Sequence, residues 1–287
     1  MTLQFGNAGN SALSEDVIRQ SLDHLRDSPK SRAFKKLLMA ALGSIPWVGG
    51  FIQAAAEYRD GEKGTVKVNA LYREWLEEHG RRMVELEDAL RKLIQRLDQL
   101  GDGITERISS PDYLALVRQA FAGWDKATTD EKRELFGKLL ANAAGSILCS
   151  DDLVRLFIEW IDKYHETHFK VIRAIYSNPG ITRADIWDEI YGERTREDAG
   201  EADLFKLLMH DLSLGHVIRQ ERKTTAAGQF LKKPRPRRRL PASPVMKTAF
   251  DDVEPYVLTE LGGWFVSYTM NEIVPRLGDA PAPAAPT

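Results

Sequence analysis

Apolar positions recur at intervals of three and four along most of the chain, so the pattern predicts helix after helix. Ser14, followed by Glu15 and Asp16, opens an amphipathic helix with Val17, Ile18, Leu22 and Leu25 on one face, which Ser28-Pro29 closes. After Lys35 and Lys36, no charged residue occurs from Leu37 to Ala56, a stretch close to the length needed to cross a bilayer. Gly43-Ser44-Ile45-Pro46-Trp47-Val48-Gly49-Gly50 interrupts it, because Pro46 disfavours helix at Ile45 and the glycines are flexible. The expectation is two short apolar helices joined by a turn, a hairpin over residues 37–56. A charged segment follows at 65–100, with Leu86, Leu90, Leu93, Leu97 and Leu100 at alternating spacings of four and three. This predicts a long, coiled-coil-like helix. Leu71, Trp75 and Met83 extend the stripe upstream, and His79-Gly80 marks a kink or break.

Gly101-Asp102-Gly103 ends that helix, and Ser110-Pro111 supplies a cap and a first-turn proline for a helix from Tyr113 to Trp124. Thr128 or Thr129 starts the next, with Glu131 near a capping-box position and Leu135, Phe136, Leu139, Leu140 and Ala143 on its buried face. Beyond Asp151 the order of elements changes. A helix from Asp151 to Ser177 ends at Asn178-Pro179-Gly180, Thr182 caps a short helix from Arg183 to Tyr191, and a third helix turns Leu204, Leu207, Leu208 and Leu212 inward before Gly215. Val217-Ile218 and Tyr256-Val257-Leu258-Thr259 alternate as two strands around a long basic loop, and Thr259 caps a last helix carrying Trp264, Phe265 and Tyr268. The expected fold is mainly α: an N-terminal helical bundle with a long coiled-coil-like helix, followed by a C-terminal winged-helix module. The corresponding divisions are a flexible arm at 1–12, the helical region at 13–150, the winged-helix module at 151–278 with its basic wing at 222–239, and a Pro/Ala-rich disordered tail at 279–287.

Composition narrows the function classes. The 287 residues are 43% hydrophobic, enough for a real core, and a formal net charge of -2 gives no global attraction to nucleic acid or membrane. Any such affinity is local. The single cysteine, Cys149, excludes an intrachain disulfide and a Cys-rich zinc site, which fits a reducing cytoplasm. The first residues lack the basic flank and apolar run of a secretory signal, and Thr2 excludes N-myristoylation.

Three features stand out against that background. The hairpin residues Leu37, Leu38, Leu42, Ile45, Pro46, Trp47, Val48, Gly49, Gly50, Phe51 and Ile52 read either as a membrane-engaging element or as a buried packing hairpin. On the membrane reading, Lys30, Arg32, Lys35 and Lys36 face anionic lipid and Trp47 is an interfacial anchor. The wing residues Arg222, Lys223, Lys232, Lys233, Arg235, Arg237, Arg238 and Arg239 occur with no acidic residue among them and suit a polyanion, or else form a solvated loop. A groove-reading DNA binder also needs donors on its third helix, and here that helix presents Glu201, Asp203 and Asp211 against Lys206. The leucine seam serves an oligomer or an intramolecular bundle equally.

Catalytic chemistry finds no constellation in the sequence. His165-Glu166-Thr167-His168 places two histidines on one helical face but lacks the zinc-protease spacing and a third ligand, and Cys149 has no identifiable base. Gly49-Gly50 and Gly262-Gly263 lack the Walker spacing and its lysine. No catalytic residue, metal, cofactor or small-molecule substrate is expected, and enzymatic activity is not.

The Pro/Gly-interrupted apolar segment, the helix Leu135-Phe136-Gly137-Lys138-Leu139-Leu140-Ala141-Asn142-Ala143, and Leu258-Thr259-Glu260-Leu261-Gly262 followed by aromatics together resemble the abortive-infection alpha proteins of bacterial phage defence. That resemblance implies a cytoplasmic bacterial protein acting in defence or self-toxicity without enzymatic chemistry, and it supplies no catalytic residues. The expected function is a defence or cell-death-type protein whose helical region oligomerises or engages a membrane on activation, with a partner-binding winged helix. The alternatives are a nucleic-acid-binding regulator dimerising through Leu86 to Leu100, and a structural adaptor. The expected partners are a protein or a second copy, an anionic membrane, or nucleic acid at the wing.

Overall fold

The three- and four-residue recurrence is realised as helix nearly everywhere in the computed structural model, which describes residues 29–61, 70–146, 148–221, 225, 227, 229, 231, 250 and 254–271. The arm at 1–12, the helix expected from Ser14 to Leu25 and the tail at 279–287 lie outside them. The protein is mainly helical, and its described residues divide into two units. One holds the residues up to Lys163 together with those from Tyr268; the other is Tyr164–Ser267. The division falls after Lys163, where the chain leaves helix.

In the first unit, α1 (Pro29–Gly43) and α2 (Pro46–Gly61) both begin at proline, whose missing N–H is no loss in a first turn. They form the expected bent pair. The long helix α3 (Ala70–Gln99) runs without a break through His79-Gly80, where a kink or break was expected. A single helical glycine costs about 1 kcal/mol, whereas each buried Leu or Met side chain contributes about 1.5–3 kcal/mol. Met83, Leu86, Leu90, Leu93 and Leu97 are all buried along this helix. Their burial outweighs the glycine. The seam read as an oligomerisation surface is therefore occupied within the chain itself, with Leu100 half-buried at its end.

A 3-10 turn (Asp102–Ile104) and a short helix α4 (Thr105–Ser109) lead to α5 (Pro111–Lys126), where the Ser110 hydroxyl accepts from the Tyr113 N–H as predicted. In α6 (Asp130–Gly145), Thr129 occupies the N-cap position, but its hydroxyl makes no capping bond. Helix α7 (Asp151–Lys163) completes the set. Packing joins α1 to α4 and α5, α2 to α3, α3 to α6, and α5, α6 and α7 to one another. Buried Asn142 explains one polar position in the apolar α6 sequence: its Nδ2 donates to the carbonyls of Tyr268 at 2.9 Å and Asn271 at 3.3 Å. Carbonyls at a helix end have no intrahelical partner, so the amide is needed there.

The helix expected from Asp151 to Ser177 is two helices. His165 is extended (φ -84, ψ 163), and its backbone N–H donates to Nδ1 of His168, forming a cap that starts α8 (Glu166–Ser177) afresh. The second unit continues with α9 (Arg183–Tyr191), where Thr182 and Asp185 cap each other reciprocally, and α10 (Gly200–Leu214). Strands β1 (Ile218–Gln220) and β2 (Tyr256–Leu258) pair antiparallel, Ile218 opposite Leu258, and a single bridge joins Thr182 to Pro255. The last helix, α11 (Glu260–Thr269), follows directly. The buried face of α10 is Ala202, Phe205, Leu208, Met209 and Leu212; Leu204 and Leu207, expected inside, are exposed. The rotation is set by Phe205, whose ring meets Trp187 edge-on at 5.3 Å.

Two glycines of this unit are fixed by space. A Cβ on Gly215 would collide with the Tyr164 hydroxyl, and the left-handed residue after α10 is His216 (φ 56) rather than that glycine. At the start of α11, the Thr259 hydroxyl accepts from the Gly262 N–H at 2.9 Å, which brings the helix against the Val217 carbonyl. A Cβ on Gly262 would overlap that carbonyl oxygen. Gly262→Ala is therefore expected to destabilise the protein by about 1–3 kcal/mol, read as a lowered denaturation midpoint, while Gly263→Ala, which meets nothing within 4 Å and removes a helical glycine, is expected to stabilise the protein by about 0.5–1 kcal/mol.

Burial holds the His168 imidazole below the ordinary histidine range, against the opposing pull of Asp211. With the folded value below the unfolded one, stability is complete above the unfolded value of about 6.5 and declines as pH falls through it. Urea midpoints are expected to drop between pH 7 and pH 5, and His168→Gln is expected to flatten that slope.

Candidate functional site

The α1–α2 hairpin has two faces of different chemistry. Its inner face consists of Phe34, Leu37, Leu38, Ile45, Val48 and Phe51, all buried, with Leu42 half-buried. Its outer face carries Arg32, Lys36, Met39, Pro46, Gly49, Gly50 and Ile52, with Met39 68% exposed. No carboxylate occurs between Pro29 and Ala56. The turn is closed by Ser44, whose hydroxyl donates to the Ala41 carbonyl at 2.6 Å. Among the described residues no single helix is long and apolar enough to cross a membrane; Pro29–Gly43 and Pro46–Ala55 reach that length and composition only together, with a 95° bend between them.

A polar clasp holds α2 in place. The Trp47 Nε1 donates to Oδ1 of Asp125 at 2.7 Å, and Arg82 donates to the same oxygen at 2.6 Å. The Arg82 guanidinium also lies over the Trp47 ring, 5.0 Å from its centroid. His79 meets Trp47 edge-on at 5.3 Å and stacks on Trp75 at 4.2 Å, and its Nδ1 is fixed 2.9 Å from the Trp75 carbonyl oxygen. Phe51 closes the cluster against Trp75. One carboxylate, Asp125 of α5, thus joins α2 and α3. Trp47, an interfacial anchor on the membrane reading and a packed residue on the other, is half-buried in this clasp.

The cationic flank is also sorted by its surroundings. Lys30 is committed to Asp98 at 2.7 Å and Asp102 at 3.3 Å, and the Asp98 hydrogen bond raises its pKa. Arg32 and Lys36 remain exposed and Lys35 half-exposed. The wing residues Arg222, Lys223, Lys232, Lys233, Arg235, Arg237, Arg238 and Arg239 lie outside the described residues.

A cleft of about 600 Å³ between α3 and α6 is lined by Lys92, Arg96, Trp124, Arg133 and Glu134. Within it Arg96 pairs with Glu134, Arg133 with Glu85 at 2.8 Å, and Lys92 with Asp88 at 2.8 Å. Cys149 is buried, and burial raises its thiol pKa. Among the described residues no group of three or more metal-ligating side chains converges, and His165 and His168 serve the α8 cap.

The clasp was not visible in the sequence. Arg82 and Trp47 lie 43 and 78 positions from Asp125, and no spacing rule links residues so far apart. A tryptophan inside an uncharged apolar run was the one signal that a polar partner had to exist for its N–H. Asp125→Ala leaves both donors without their acceptor and is expected to destabilise the protein by about 1–2 kcal/mol, reduced from a fully buried pair by the partial exposure of Arg82. Asp125→Asn, which keeps an acceptor oxygen, is expected to lose less, and thermal denaturation of the two variants measures the difference.

No protein-family model, curated protein or solved structure matches the chain.

Proposed function

We propose that the chain is a non-enzymatic bacterial defence or cell-death-type protein that acts by engaging an anionic membrane through the α1–α2 hairpin. The observation that carries this reading is the division of the hairpin: an apolar inner face under the Asp125 clasp, and an outer face of cations, glycines and exposed Met39 and Ile52 without a carboxylate. Amphipathic helices of that composition bind anionic bilayers by combining apolar burial with electrostatic attraction. The inner face adds apolar area once α2 leaves the clasp. The defence setting rests on the resemblance of Leu37 to Ala56, Leu135 to Ala143 and Leu258 to Gly262 to the abortive-infection alpha proteins. On this reading the protein is cytoplasmic and becomes membrane-associated on activation.

The C-terminal unit is, on the same proposal, a winged-helix module that binds a partner. Its support is the order α8, α9, α10, β1, β2, α11, with the Thr182–Pro255 bridge beside the antiparallel pair. A second reading, a nucleic-acid-binding regulator, draws on the basic residues between the two strands. The exposed side of α10 weighs against groove insertion, because it presents Glu201, Asp203, Leu204 and Leu207.

Vesicle flotation tests the leading reading. The protein is expected to float with phosphatidylglycerol-containing vesicles and not with pure phosphatidylcholine, and the paired substitution Met39→Glu/Ile52→Glu is expected to reduce the floated fraction at least tenfold. Absence of flotation at low salt, together with a nucleic-acid shift on the same preparation, would replace this reading with the second.

A further inference from the structure

The fold brings a third cation to α1 that the sequence does not place there. A cleft of about 440 Å³ between α1 and α5 is lined by Lys35, Lys36, Met39, Ala40, Gly43, Leu114 and Arg118. Arg118 comes from α5 and is exposed. Its lining is chemically one-sided: three cations and no carboxylate. Among the described residues none of the three cations has a salt bridge, in contrast to neighbouring Lys30 with its two aspartates. The rest of the lining is apolar, with Met39 68% exposed at one edge and Leu114 half-buried at another. Gly43 has no neighbour within 4 Å of where a Cβ would stand, so this part of the wall is open.

From this arrangement, and resting on the membrane reading above, the geometry points to a seat for the phosphodiester headgroup of an anionic glycerophospholipid. Like charges gathered without counterions repel one another, and a phosphate relieves that repulsion while accepting from the Arg118 guanidinium and the two lysine ammoniums. The Met39, Ala40 and Leu114 surface then receives the glycerol and the first methylenes of the acyl chains. A free phosphate satisfies the cations alone; a lipid satisfies both halves of the cleft. The cleft therefore selects a lipid, and it turns a diffuse attraction of α1 to a negative surface into a defined headgroup contact at the base of the hairpin.

The test uses the full chain and short-chain phosphatidylglycerol below its micelle concentration, titrated by calorimetry, so that no bilayer is involved. Saturable binding is expected, weakened at least tenfold by Arg118→Glu and much less by Arg118→Lys. Lys170→Glu makes the same charge change on the exposed side of α8, outside the hairpin and the cleft lining, and it is expected to alter affinity less than threefold. Inorganic phosphate is expected to bind at least tenfold more weakly than the lipid. Equal losses from Arg118→Glu and Lys170→Glu would reduce the effect to overall charge and overturn the site. Phosphate binding as tight as the lipid would overturn the lipid assignment, and no binding of either would overturn both. Flotation of the wild-type chain on the same preparation separates the two levels: vesicle binding unaffected by Arg118→Glu sinks the seat alone, and lipid titration without flotation sinks the membrane reading alone.

Discussion

An indole N–H and a guanidinium that share one carboxylate oxygen set the position of the apolar hairpin. Trp47 and Arg82 both donate to Oδ1 of Asp125, and the aromatic stack of His79 on Trp75 backs the indole. Apolar contact alone covers the inner face of α1 and α2 but does not fix it, because such contact is non-directional. The clasp adds direction. It also concentrates the directional hold on α2 in one side chain, Asp125, which is 16% exposed and belongs to a different helix. A hold of that kind is worth a few kcal/mol at most, small beside the apolar area beneath it and within reach of what membrane binding supplies.

The same economy governs the remainder of the first unit. Leucines at heptad-like spacing read equally well as a dimer seam or an internal one, and burial of Leu86, Leu90, Leu93 and Leu97 within the chain uses them internally. The surface left over is mostly polar on α3, with Val84 exposed, and mixed on α1, where Arg32, Lys35 and Lys36 stand beside Met39. On the proposed reading, that mixed surface is the first to meet a bilayer, and the inner face follows. The C-terminal unit has its own core around Trp187, Phe205, Phe169 and Phe265, and its α10 surface presents exposed Leu204 and Leu207 among acids.

Local signals were legible wherever a residue acts on its own neighbours. Ser110-Pro111 starts α5, Thr182 caps α9, and the Pro46 turn bends the hairpin where the backbone chemistry demands it. Signals failed where a distant contact outweighed a local preference. Gly80 does not break α3, because the buried leucines downstream outweigh one glycine, and the Asp151 helix divides at His165 because a side chain three residues on supplies a new cap. Leu204 and Leu207 were misplaced because Phe205 and Met209, one step round the helix, compete for the same core and win it. The hairpin itself was visible as an uncharged run, but its partners were not: Asp125, Arg82 and Arg118 look like ordinary surface charges until the fold brings them to α1 and α2.

The central claim is that Trp47 leaves the clasp when the protein meets an anionic bilayer. Vesicles of phosphatidylglycerol brominated in the acyl chains test this directly, since bromine quenches only indoles that reach the hydrocarbon. The chain has six tryptophans, so the Trp47 contribution is isolated as the difference between wild type and Trp47→Phe. The account predicts that this difference signal is strongly quenched on brominated vesicles and unaffected in their absence. Protein that floats with the vesicles while its Trp47 signal stays unquenched would contradict it, leaving the hairpin as a permanently buried part of the bundle.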